Sequence, residues 1–213
     1  MAKYEESFLN IDPSLCSVEW CDDNQPIEVH LSGELDEESV ETFESNWRMA
    51  RMSGQEVIPV VINSTGGDCY CCSKIIDLLA ATDKEVVTVV RGSAMSAAAL
   101  IFSCGDRRLI TPNSSVMLHS VSTGISGGTT AEIRVDSEET DRLNSAMTKI
   151  LDKNTKNRNY FSKLLQNNLD VYLNAQQCKD CNLATDIGDV KLTTDIVVTS
   201  KIEIIRPQKR KRM

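Results

Sequence analysis

Two short, almost unbroken apolar runs, residues 57–62 (VIPVVI) and 85–90 (EVVTVV), limit the folds open to this chain more than any other feature. Runs of that length and density suit strands buried on both faces, the usual condition inside a parallel sheet. The flanking segments fit the same scheme. Residues 27–31 place Ile27, Val29 and Leu31 on one side, the period of a strand, and Gly33 ends the run. Residues 37–52 carry Val40, Phe43, Trp47 and Met52 near helical spacing and close at Gly54. Asn63 to Gly67 read as a turn, and 75–81 lie in the next helix. Strands that alternate with helices in this way predict βαβ units, hence an α/β fold built on a parallel sheet.

Beyond Gly92 the pattern predicts a small-residue helix at 96–104 and short strands at 108–111 and 116–119. A glycine-bearing loop at 122–128 leads into a long helix from about 130 to 151 or beyond. Residues 170–173 read as a turn into a helix at 176–182, with closing strands at 190–192 and 195–205. The organisation expected is an acidic, irregular arm (1–26), one domain (27–205) and a basic tail (206–213, RPQKRKRM). The tail reads as solvated, with a targeting or docking signal as the other reading.

A length of 213 residues supports one full-sized core, and with 41% hydrophobic but 5% aromatic residues that core must rest on Val, Ile, Leu, Ala and Met. The net charge of −8 argues against a phosphate-tracking nucleic-acid surface. No run reaches the ~18 apolar residues of a membrane span. The N-terminus also lacks the basic start and apolar stretch of a secretory signal, so a cytoplasmic protein without membrane contact is expected. Of eight cysteines, Cys69, Cys71 and Cys72 form one group and Cys178 and Cys181 another. Both groups fall in helical patterns, where a small core thiol is the commoner role than a zinc ligand, so neither metal nor cofactor is expected.

The chemistry gathers around Gly92-Ser-Ala-Met-Ser96-Ala-Ala-Ala, where a buried strand passes into an alanine-rich helix. A serine on that turn has small neighbours and the free N–H groups of a helix start, which favour a developing oxyanion. Alternatively it simply caps the helix. The pair Gly66-Gly67 after the first apolar strand exposes backbone N–H groups to a ligand, or simply lets the chain leave the strand. Of the two histidines, His30 lies within an early strand and reads as structural. His119 ends a strand beside a loop, where a base is both fixed and accessible.

Taken in order, Asn63-Ser-x-Gly-Gly, Gly92-x-Ala-x-Ser96, Pro112-Asn-Ser-x-Val-Met-x-His119 and Asp170-Val-Tyr-Leu-Asn-Ala resemble the proteolytic subunit of Clp proteases. The resemblance covers about 27 to 192. It implies a crotonase-like fold of repeated βαβ units with a protruding helix for ring stacking, here the stretch after Gly128. It implies a serine endopeptidase subunit that cleaves unfolded polypeptides inside a chamber of stacked seven-membered rings, fed by an AAA+ unfoldase. Ser96 then matches the nucleophile, His119 the base and Asp170 the orienting acid, with the N–H groups of Gly67 and Ala97 as oxyanion hole. Asp68 and Cys69, with Thr123, Gly124, Ile125 and Ser126, would flank an extended substrate by backbone pairing. The chain departs from the family pattern at Thr65 (usually Pro), Ala97 (commonly Met) and Ser120-Val121 (usually Gln-Pro), and residues 1–26 do not resemble the usual axial segment. Compact divergent members occur in viruses, some as capsid-maturation proteases, and the resemblance leaves host or viral origin open. Other readings are an idle ring or scaffold subunit, a crotonase-like acyl-CoA enzyme, and a Ser-Lys peptidase using Lys74 or Lys149. Asp180, Asp186 and Asp189 are rivals for the acid.

Overall fold

A computed structural model describes residues 26–122, 127–156, 159–165, 170–195 and 199–205. The arm up to residue 25, the tail from 206 and the loop residues Thr123, Gly124, Ile125 and Ser126 lie outside them. Strands β1 (Val29–Leu35), β2 (Val57–Gly67) and β3 (Glu85–Met95) alternate with helices α1 (Glu37–Met52) and α2 (Cys69–Ala80) and pair in parallel. The βαβ repeat expected from the two apolar runs is therefore present.

Helices α1 and α2 start where their first free N–H groups find a side-chain acceptor. Asp36 and Ser39 form a reciprocal capping box at α1, and Asp68 accepts from the N–H groups of Tyr70 and Cys71 at α2. Helix α1 buries Val40, Phe43, Trp47 and Ala50, an i, i+3, i+4 stripe. Met52, expected on that stripe, is instead 79% exposed, because Ala50 takes the last inward position.

The strands run further than the glycines suggest. β1 passes through Gly33 to Leu35, and the segment expected as a turn, Asn63 to Gly67, is the end of β2. Its backbone is still paired to β1, Gly33 with Ser64 and Glu34 with Gly66, and the register skips Thr65. The Ser64 hydroxyl fills the gap, donating to Gly33 O (2.6 Å) and accepting from Gly66 N (3.1 Å). Likewise β3 does not stop at Gly92. It pairs with β4 (Arg107–Ile110) up to Val90, then with β5 (Ser115–Leu118) from Ser93 to Met95.

Among the described residues the sheet has seven strands: β1-β2-β3-β4-β7 in order, with β5 on β3 and β6 on β5. β6 (Val171–Asn174) pairs antiparallel with β5, where a turn was expected, and β7 (Asp186–Ile187) is parallel to β4. The result is a mixed α/β architecture on a mostly parallel sheet.

The main core lies on the face where Ile58, Val60, Ile62, Val86 and Val90 meet the helices. All seven residues of α3 (Ala97–Ser103) are buried there. On the other face Val87, Val89 and Leu109 pack with Val190. Val190 belongs to β8 (Asp189–Asp195), which forms a hairpin with β9 (Thr199–Ile205), longer than the closing strand expected at 190–192. Helix α4 (Thr130–Asn154) has 25 residues, of which only Leu151 is fully buried. Short helices α5 (Tyr160–Leu164) and α6 (Ala175–Asp180) complete the chain. No helix among the described residues is long and apolar enough to cross a membrane.

Candidate active site

Ser96 stands between the end of β3 and the start of α3 with φ 54° and ψ −122°, a conformation that costs a non-glycine residue about 1–3 kcal/mol. Two features hold it there. Its N–H donates to Met117 O at 2.8 Å, one step beyond the β3–β5 pairs. Gly66 lies against it so closely that a Cβ on residue 66 would sit 2.4 Å from Met95 O and 2.9 Å from Ser96 Cβ. Although Ser96 occupies the N-cap position, its side chain makes no capping bond. The hydroxyl points instead to His119, with Ser96 Oγ 2.6 Å from His119 Nε2.

Strand β5 brings the histidine there. Its three pairs with β3, from Ser93 with Ser115 to Met95 with Met117, set the residues after each strand side by side. The pairing begins just beyond a polar junction. Ser114, 2% exposed, donates to Val90 O (3.1 Å), accepts from Gly92 N (2.8 Å) and contacts the Thr111 hydroxyl (2.5 Å). On the opposite edge Asn63 Oδ1 accepts from Ser93 N at 3.2 Å. These side chains serve backbone groups where β3 changes partners, a point at which unpaired polar groups would be costly. Gly92 lies at φ 108°, where an L side chain is strained, and a Cβ there would also displace Asn63 Oδ1, 2.6 Å away.

Ser96 and His119 line a cavity of about 330 Å³ together with Gly67, Cys69, Ala97 and Glu34. Leu100, Met117, Met147, Leu151 and Leu165 form its apolar wall. Gly67 (φ 154°) has no room for a side chain, since a Cβ would lie 2.3 Å from Leu35 O. Ala97 is the first residue of α3, so its N–H has no acceptor within the helix. Cys69 faces the cavity as a neutral thiol, pushed up by burial and then by the charge of Asp68. The Asp68 N–H donates to Leu35 O (2.9 Å) and its carboxylate is the α2 cap.

Asp170 is exposed and borders, with His119, Ser122, Thr140 and Asp141, a second depression beside the cavity. It makes no hydrogen bond to His119 among the described residues. The rival acids are engaged elsewhere: Asp189 accepts from Arg91, Asp186 from Lys179 and Asp180 from Gln176. Lys74 pairs with Glu44 at 2.8 Å and Lys149 is exposed on α4; neither lines the cavity of Ser96. His30 is 54% exposed beside Glu28. Cys178 in α6 and Cys181 at its C-terminal cap do not line the cavity, and burial pushes the Cys178 thiol up to about 12.

Asn144 of α4 was not visible as a site residue in the sequence. It lines both depressions, and its Oδ1 accepts from the N–H of Val121, two residues after His119, at 2.6 Å. No local motif marks it, because the contact is made only when α4 folds back across the strand end.

Curated relatives resemble the chain at low identity. ATP-dependent Clp protease proteolytic subunit 2 of Corynebacterium jeikeium (strain K411) is 26% identical over 136 residues, 63% of this chain and 65% of the relative. The ATP-dependent Clp protease proteolytic subunit of Bigelowiella natans is 38% identical over 104 residues, 48% of this chain and 53% of the relative. Subunit 1 of Rhodococcus jostii (strain RHA1) is 29% identical over 133 residues, 61% of this chain and 60% of the relative. The chain thus spans 53–65% of the length of these relatives. The Clp protease family model matches residues 24–191, a stretch that contains Ser96, His119 and the whole β3–β5 junction, and the chain belongs to that family.

Proposed function

We propose that the chain is a serine endopeptidase subunit, with residues 27–205 as its peptidase domain and an unfolded polypeptide as substrate. The observation that carries this reading is the 2.6 Å contact between Ser96 Oγ and His119 Nε2, on a positive-φ turn beside a cavity. Such a contact lets the imidazole take the hydroxyl proton as Oγ attacks a peptide carbonyl. The oxyanion would be held by the N–H groups of Gly67 and Ala97. His119 then returns the proton to the leaving amine, and water repeats the sequence on the acyl-enzyme. Asp170 is assigned the orienting role toward Nδ1, and Asp68, Cys69 and residues 123–126 the flanks of the extended substrate. The subunit would work in the cytoplasm as part of a stacked-ring homo-oligomer supplied by an AAA+ unfoldase; the relatives' names support the ATP dependence of the whole protease.

The exposed Asp170, with no hydrogen bond to His119, favours a second reading: a ring subunit that is idle until Asp170 closes onto the imidazole. Labelling with a fluorophosphonate separates the two. Wild type should label, and S96A and H119A should lose the label by at least ~10³-fold. An unlabelled wild type with a native melting transition would abandon the active-peptidase reading in favour of the idle one.

A further inference from the structure

The residues lining the cavity of Ser96 include one Asp, Glu, Lys or Arg side chain among those described, and it is Glu34. Nothing in the fold accounts for it. Glu34 is exposed, caps no helix, and makes no hydrogen bond or ion pair among the described residues. Its placement is nonetheless fixed. It pairs with Gly66 just after the register skips Thr65, one residue from Gly67. Parallel neighbours lie ~4.8 Å apart, so the carboxylate is well within a Debye length of the oxyanion position assigned to Gly67. The adjoining depression continues along the outward row of β1, His30, Ser32 and Glu34, to Asp36 and Glu38, again without a lysine or arginine.

An unneutralised carboxylate there opposes the negative charge that develops on the carbonyl oxygen. A cationic substrate group beside it removes that repulsion and gains an ion pair. We infer that Glu34 is a specificity residue that selects polypeptide segments carrying a lysine or arginine next to the scissile bond. The inference rests on the peptidase reading for its chemistry, but the charge selection itself is a property of binding. Because neutralisation matters most when the oxyanion forms, the preference belongs in kcat as well as in KM.

The test uses full-length protein carrying S96A and matched fluorescent peptides that differ in one residue, Lys, Gln or Glu, with affinity read by anisotropy. The Lys peptide should bind about fivefold more tightly than the Gln peptide, and the ratio should fall with rising salt. Adding E34Q should bring the ratio to about one and E34K should invert it, while D77K, an equal charge change on α2 outside the cavity, keeps the wild-type order. A ratio near one without further substitution, an E34K protein that still prefers Lys, or no measurable binding of the Lys peptide would each overturn the inference. Fluorophosphonate labelling of the wild type is scored separately. Absent labelling with the charge order intact removes the peptidase reading and leaves the selectivity standing.

Discussion

Gly66 shows how a single missing Cβ shapes this site. The residue lies at φ +82° with Met95 O, Ser96 Cβ and Ala97 N all within 2.9 Å of where its Cβ would be. G66A must therefore push the nucleophile turn away from β2 or strain itself. It should lower the melting temperature by roughly 4–8 °C and abolish fluorophosphonate labelling; a labelled G66A would show that the turn tolerates displacement. Ser114 acts from further off. S114A leaves Gly92 N–H and Val90 O without their side-chain partner and loosens the start of the pairing that ends at Ser96 and His119. Since a displacement of about 1 Å costs ~10²-fold, labelling should slow by about 10- to 100-fold, with S114T restoring most of the rate and S114C, of similar size but poor hydrogen bonding, restoring little. At this scale Ser96 and His119 were legible, because each belongs to a local pattern with a chemical reason. Glu34 and Asn144 were not, since what brings them to the cavity is a register shift and a returning helix, neither of which leaves a local trace.

The elements were legible wherever hydrophobic periodicity decides structure, as in β2, β3 and α1. Glycine misled at two points. Gly33 and Gly92 read as ends, yet each lies within a strand whose backbone goes on pairing, whereas the pair Gly66-Gly67 does close its strand. There the residue answers to a bulge or a close approach rather than to a turn. β6 was missed for another reason: four residues with one buried side chain carry too little alternation to reveal a strand made by pairing with β5. Helix α4 is tied to α2 by Tyr70, whose hydroxyl donates to Glu139 (2.9 Å), while Arg142 donates to the same carboxylate. Those bonds, Arg142 first and Tyr70 second, hold the Glu139 carboxyl down at about 2. A depressed folded-state value means the stabilisation is present above the ordinary carboxyl range and lost as pH falls through about 4 toward about 2. The melting temperature of wild type should exceed that of E139Q by a constant amount above about pH 5, and the gap should close in acid. A gap independent of pH would place the effect outside this carboxylate.

Across the whole molecule, Arg91 joins distant parts of the chain. Its guanidinium meets both oxygens of Glu28, just before β1, and the carboxylate of Asp189, the first residue of β8, with N···O distances of 2.8–3.0 Å. Asp189 in turn pairs with Ile205, the last residue of β9. One half-buried cation therefore fastens the entry to the sheet and the terminal hairpin onto the strand that carries the nucleophile. R91M should lower the melting temperature by about 2–6 °C and leave two carboxylates facing each other, a deficit that shrinks in salt; an unchanged melting curve would make the junction incidental. The pairing of β3 with β5 has a different kind of consequence. Only three residue pairs stand between the Ser114 junction and the Ser96–His119 contact, and the next bond along is Ser96 N–H to Met117 O. That amide is a built-in gauge: its deuterium uptake reports whether nucleophile and base are in register, with no substrate present and no bond cleaved. A slow-exchanging Ser96 amide marks a closed β3–β5 junction and a fast one a junction that has opened, so the alignment of the nucleophile turn could be followed in any assembly the chain enters.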